Sequence, residues 1–334
     1  MKKNQILKSV KTGIVATLTL AGSLMLSQPV FAQVPTKVIY FLAGPKDHVN
    51  EEGSGRHETR RDLLVLQHCI DSAINIKGVN IKTKFLYMRD AINIDDFKDC
   101  AAIIVECSSV TSTQTRTHPI FPPIPQQAPK KEYDKATLKY LNQIDSLQEA
   151  GMGIMFLHWG IASDGANASV QTHYLKWFGE VAIPNYTHNP LGYWAVTPIK
   201  AAEKHPILRG VNQFMYKDEI FSNLVVRPGD PYRTDLLMGE AEKTNQGAIA
   251  PNCIASVYEK GNARGVLWGG MDYHTALLDP NYLRFVLNEI VWTAGIEVPK
   301  GGVKTVAKTL QLCRPSTRPD IKPANFEAFN SGKK

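Results

Sequence analysis

The sequence predicts an α/β fold of the flavodoxin-like or Rossmann-like kind, a three-layer sandwich on a mostly parallel sheet. Three observations carry this. Uninterrupted apolar runs recur at KVIYFLAG (37–44), AAIIVEC (101–107) and GIMFLHWG (153–160), and such runs read as strands buried on both faces. Segments of helical period lie between them, which is the alternation of crossover units. About 300 residues follow a leader-like start, enough for one large domain or two small ones; no internal repeat interrupts them.

The elements follow in order. KVIYFLAG is the first strand and ends in glycine. ETRRDLLVLQHCIDSAIN is a helix, with Leu63, Leu66, Ile70 and Ala73 at helical spacing. IKTKFLYM is a second strand and AAIIVEC a third. TSTQTRTHPIFPPIPQQAPKK is rich in proline and hydroxyls and reads as a long loop. EYDKATLKYLNQIDSLQEAG is a helix closed by Gly151, and GIMFL opens a fourth strand. In the second half VQTHYLKWFG is a short helix, while YWAVTPI, CIASVYEK and RGVLWGGM are strands. GNARG joins the last two as a hairpin-like turn. Residues 279–295 form the last helix, with Asp279 and Pro280 as its start and Gly295 as its stop.

The ends differ from the body. Residues 1–32 hold Lys2, Lys3, Lys8 and Lys11, then an apolar stretch, then Val30 and Ala32 at cleavage-site spacing. This reads as a secretory signal peptide cut after Ala32, giving a periplasmic or extracellular protein with no membrane segment after cleavage. The formal charge of +7 is carried by the ends. The leader contributes +4 and residues 299–334 contribute +6, so the body 33–298 is about −3. A nucleic-acid partner would call for positive charge on the folded body, and none is expected. Residues 299–334 read as a basic tail that packs poorly. The five cysteines form no CxxC, and Cys69 and Cys107 sit in apolar helix and strand patterns as buried thiols.

In open α/β sheets, ligands bind beyond the carboxyl ends of the strands. Three strand ends each deliver a histidine there: His57 in GSGRHE, His158 in FLHWG and His274 in GGMDYH. His57, His158 and His274 are the candidate metal ligands, for one zinc or manganese ion. Glu58 adjoins His57, and either helix-dipole service or proton transfer accounts for it. Glu219 and Asp218 form an acidic pair in KDEIF with apolar flanks. Catalytic candidates are Glu58, Glu219 and His158; substrate-binding candidates are His48, Asp218, Trp159 and His188. Asp272 is placed to orient His274. Acid/base chemistry without metal fits the same residues. No Ser or Cys nucleophile elbow follows the fourth strand, since Ser163 stands outside any G-x-S-x-G. The chain has no P-loop and no GxGxxG, so no nucleotide cofactor is expected.

The motifs, in order, resemble the trehalose-utilisation (ThuA-like) family, a branch of the class I glutamine amidotransferase-like architecture without the catalytic cysteine. DHVNEEGSGRHE is similar to the family's opening S-H-G-x-G-x-H-E. FLHWG matches its L-H strand end, and KHPILRGVNQFMYKDEIF matches H-P-I-x-x-G-V followed by D-E. ARGVLWGGMDYH and VLNEIVWTAGIEVPKGGV match its closing motifs. The likeness covers about 37–303. Where the family often places a histidine after the paired glycines, this chain has Met271, with His274 three residues on. The resemblance implies a protein that handles a carbohydrate, a glycoside or keto-sugar, as a hydrolase or isomerase. The alternative it leaves open is a carbohydrate-binding or scaffold protein without turnover.

Overall fold

The computed structural model describes residues 34–44, 53–87, 94–107, 130–162, 168–183 and 186–313. Their strands are β1 (Thr36–Ala43), β2 (Asn80–Tyr87), β3 (Cys100–Glu106), β4 (Gly153–Leu157), β5 (Glu180–Val181), β6 (Leu191–Pro198), β7 (Phe214–Glu219), β8 (Val225–Val226), β9 (Arg233–Thr244), β10 (Gly247–Lys260) and β11 (Ala263–Trp268). Their helices are α1 (Thr59–Asp71), α2 (Lys130–Glu149), α3 (Ala168–Phe178), α4 (Pro280–Thr293) and the single turn α5 (Thr309–Leu312).

Nine strands form one mixed sheet in the order β2-β1-β3-β4-β11-β10-β9-β6-β7, and β5 pairs with β8 apart from it. The first five strands in this order run parallel to one another. The rest are antiparallel. The expected parallel character therefore holds for the half that the crossover helices build. Short hairpins join β9 to β10 and β10 to β11, and a tight turn can join only antiparallel strands; the longer segment 199–213 joins β6 to β7.

Alternate residues of the central strands feed two cores. Ile39 and Phe41 of β1 and Ile104 of β3 face α1 and α4, where Leu63, Leu66, Phe285 and Ile290 meet them. Tyr40, Leu42, Ile103 and Val105 face the other way, toward Leu141 and Ile144 of α2 and Tyr174 and Trp177 of α3. This is the two-residue period of a strand covered on both faces. It explains why these runs are apolar without interruption.

Helix α4 starts as its sequence reads. The Asp279 carboxylate accepts from the backbone N–H of Asn281 at 2.8 Å and of Tyr282 at 2.9 Å, and Pro280 fills the first helical position. The stretch after 299 does not behave as a loose tail at once. The Val303 N–H donates to Asn288 Oδ1 at 2.8 Å, the Lys304 N–H donates to Asn75 Oδ1 at 2.9 Å, and Cys313 is fully buried. These contacts hold the chain on the body as far as Cys313. Residues 1–33, His48, Ser163 and the tail beyond 313 lie outside the described residues. Among the described residues no helix is long and apolar enough to cross a membrane. All five cysteines are free thiols, four of them buried.

Candidate active site

Three loops at the carboxyl edge of the parallel strands meet in one place, and backbone pairing joins two of them. The His57 N–H donates to the Asp272 carbonyl at 2.9 Å, and the His274 N–H donates to the Gly55 carbonyl at 3.0 Å. Arg56 and Tyr273 thus form an antiparallel bridge. The third loop leaves β4 as a single 3-10 turn, His158–Ile161.

The convergence brings His57, His158 and Asp272 together. Their nearest nitrogen and oxygen atoms all lie within 4.8 Å of one another, and all three side chains are buried. Asp272 Oδ1 is 3.0 Å from His57 Nε2 and 3.8 Å from His158 Nε2. The His158 Nδ1–H donates to the Gly269 carbonyl at 3.4 Å, which leaves Nε2 directed at the cluster. On its outer side, Asp272 Oδ2 accepts from Arg56 Nε at 2.8 Å. Burial raises the Asp272 carboxyl, but the hydrogen bond from His57 and the charges of His158 and Arg56 outweigh it. They hold its pKa down to about 2.

The backbone is strained at this place. Four non-glycine residues among those described have a left-handed φ: His57 (50°), His158 (46°), Met271 (86°) and Asn223 (57°). The first three sit one in each converging loop. Such conformations cost about 1–3 kcal/mol each and persist where the surroundings impose them, as functional sites do. The paired glycines serve close approach. A Cβ at Gly269 would fall 2.9 Å from the Phe221 backbone nitrogen, and one at Gly270 would fall 2.7 Å from the Tyr282 hydroxyl.

The remaining candidates take different places. Glu58 is committed to its own loop. Its carboxylate accepts from the N–H groups of Gly53 at 2.8 Å and Gly55 at 2.7 Å, and Arg61 stands 3.5 Å away. It thereby shapes the turn that carries Arg56 and His57. Asp218 is equally committed. It accepts from the N–H of Met271 at 3.0 Å, the N–H of Tyr273 at 3.1 Å and the Tyr282 hydroxyl at 3.1 Å, so it clamps the turn that presents Asp272. Glu219 reaches the site: its carboxylate accepts from Asn189 Nδ2 at 2.9 Å and lies 3.4 Å from Arg56. Burial first and the Asp272 charge second raise its pKa. Trp159 forms a wall, its ring 6.0 Å from that of His57 and 6.2 Å from that of Phe221. His188 is exposed, and its backbone pairs with Ser222.

His274 does not join His57 and His158. It starts a separate 3-10 turn, His274–Leu278, which swings its ring toward α1. There Nδ1 pairs with the Asp62 carboxylate in full burial. Burial pulls the His274 pKa down, but Asp62 overcomes this and raises it to about 10. Asp272, expected to orient His274, instead lies beside His57 and His158, and Arg56, which stood outside the sequence candidates, holds its outer oxygen. The only available signal was a strong acid two residues from the histidine, in a turn built on paired glycines.

The fold and the cluster together define an α/β protein with a strained, buried site of two histidines and one carboxylate at the sheet's carboxyl edge. No family model matches the chain, and no curated protein matches it. Among solved structures, a ThuA-like protein from Bacteroides uniformis superposes with a TM-score of 0.50 at 13% identity, over 79% of this chain and 93% of that one. A ThuA-like protein from Parabacteroides merdae superposes with a TM-score of 0.47 at 11% identity, over 81% of this chain and 97% of that one. The resemblance read from the motifs thus extends to the fold.

Proposed function

We propose that this is an exported ThuA-like protein that acts on a glycoside or keto-sugar at a divalent-metal centre formed by His57, His158 and Asp272. The observation that carries the proposal is the convergence of these three buried side chains, each in or beside a left-handed backbone position. The donor set fits the group. Two imidazoles and one carboxylate leave coordination positions open, as in catalytic zinc sites, and they suit zinc or manganese. The strand order β2-β1-β3-β4-β11 of the parallel half supports a flavodoxin-like three-layer reading, with the site at the expected edge.

A bound divalent ion would supply Lewis acidity toward a sugar carbonyl or a water. The protein's own residues do the rest. The Gly269 carbonyl fixes the His158 tautomer, and Arg56 fixes the orientation of Asp272. Glu219 is the proton-transfer residue. Burial first and the Asp272 charge second raise its pKa, the direction that makes a carboxyl group a better base. Glu58 shapes the loop and does not transfer the proton, because the loop backbone already holds its carboxylate. Trp159 and Phe221 offer apolar surface to a sugar ring and exclude water.

The test is turnover of a panel of glycosides and keto-sugars by the zinc- or manganese-loaded mature protein, read by mass spectrometry. His158→Ala is expected to lose activity by about a hundredfold or more while keeping its circular dichroism. Full activity in that variant contradicts the proposal.

A further inference from the structure

The last described segment of the chain crosses the end of α1 as a strap. The Ile74 N–H donates to the Lys304 carbonyl at 2.9 Å, and the Val306 N–H donates to the Ser72 carbonyl at 3.2 Å. Ala73 and Thr305 are thereby paired as an antiparallel bridge. Paired residues share a face, and their chain neighbours share the opposite one. Ala73 packs against the core, so Ile74, Lys304 and Val306 face outward.

The alternation continues along the strap. Val303, Thr305, Ala307 and Thr309 are buried or half-buried, while Lys304, Val306, Lys308 and Leu310 are exposed. The outward row therefore reads lysine, valine, lysine, leucine. Ile74 is 63% exposed, Val306 64% and Leu310 60%. Three large aliphatic side chains this exposed on one short strap and its bridge partner form a patch and not a scatter of single residues.

The patch is also positive. Lys304 and Lys308 form no ion pair with a described residue, and neither does Lys77, three residues beyond Ile74, nor Lys300 at the start of the strap. Asp71, the acid at the end of α1, accepts from the Thr83 hydroxyl on β2 at 2.8 Å. Beyond Cys313 the sequence adds Arg314, Arg318, Lys322, Lys333 and Lys334 against Asp320 and Glu327.

We propose that this strap is a docking surface for an anionic lipid bilayer, which would hold the protein at a membrane without a spanning segment. Charge complementarity selects the occupant. The lysines meet lipid phosphates, and the aliphatic side chains between them enter the interfacial layer, the pattern of a surface that lies on a membrane. The body 33–298 carries about −3, so it is repelled by the same lipids and the strap is the side that approaches.

The test is sedimentation of the full mature protein with vesicles. Vesicles of phosphatidylglycerol and phosphatidylcholine in equal parts are expected to bring it down, and vesicles of phosphatidylcholine alone are not. Binding should fall as salt is raised. Lys304→Gln with Lys308→Gln should weaken it about 25-fold, about fivefold per lysine. Val306→Ser with Leu310→Ser should weaken it about tenfold and leave its salt dependence unchanged. All four side chains are exposed, so circular dichroism and thermal melting should not change. Absence of any preference for the anionic vesicles overturns the proposal. Wild-type affinity in Val306→Ser with Leu310→Ser also overturns it, because charge alone would then account for the binding. Capture by soluble polyglutamate with the same sensitivity to both pairs of changes would assign the strap to an acidic protein instead. Self-association that Val306→Asp abolishes, without vesicle binding, would assign it to a second copy.

Discussion

Two buried clusters of histidine and carboxylate lie at the same edge of the sheet, and they have opposite characters. In one, His57, His158 and Asp272 converge through three left-handed backbone positions, with half-exposed Arg56 bridging to solvent. In the other, His274 pairs with Asp62 and Glu106 lies against Asp62, all nearly or fully inaccessible. The first gathers two imidazoles on one oxygen, the arrangement on which the metal proposal rests. The second pairs one imidazolium with one carboxylate and fastens the 272–278 turn to α1. Residue type and burial are alike in the two clusters; the left-handed backbone positions mark only the first.

The titration behaviour separates them as well. The Asp272 pKa is depressed to about 2, so its contribution to stability is present above its ordinary value and is lost as pH falls toward 2. Burial first and Asp62 second push the Glu106 carboxyl well above its ordinary range. The His274 pKa is raised to about 10. For these two groups the native state binds more protons than the unfolded chain. The stability they lend is greatest below the unfolded pKa and declines as pH rises through the folded one.

The largest break in the comparison is Asp62→Ala. It leaves a buried imidazolium without its carboxylate, and chemical denaturation is expected to show a loss of about 3–5 kcal/mol. Asp272→Asn is expected to cost less than half of that, because Arg56 can turn to solvent. Equal losses would mean that both clusters are locks. Next in size is Arg56→Ala. Removing a group that orients a ligand typically costs about 10–100-fold in metal affinity, and competition with a chelator would read it. Unchanged affinity would remove Arg56 from the site.

The smallest effect lies away from both clusters, at Glu289. Its two carboxylate oxygens are fully buried and have no hydrogen-bond partner among the described residues. Burial alone raises its pKa well above the ordinary value. Glu289→Gln should therefore stabilise the protein by about 1 kcal/mol near neutral pH. The gain should shrink toward pH 4, where the unfolded chain is protonated too. A gain independent of pH would show that the carboxyl group is not the cause.

Much of the parallel half was legible in the sequence. β1, β3 and β4 are continuous apolar runs because helices cover both faces; α1 and α4 carry long periodic patterns, and α4 adds a start signal. β9 was missed and β7 was seen only as its terminal acids, since edge and hairpin strands alternate and resemble loops. His57 and His158 stood out because a histidine at a strand end has few bland explanations. The choice between Asp272 and His274 was not legible. It depends on Met271 turning left-handed and on a 3-10 turn starting at His274, and neither is written in the residue types. Glu58 stood open between two roles, because a carboxylate that holds its own loop reads the same in sequence as one that moves a proton.

The central claim is that Asp272, and not His274, completes the metal set. The direct measurement is zinc content by elemental mass spectrometry of the mature protein, Asp272→Asn and His274→Asn, each loaded and then desalted. The account predicts close to one ion per chain in the wild type and in His274→Asn, and a loss in Asp272→Asn. Retention of zinc by Asp272→Asn, or its absence from the loaded wild type, would contradict it.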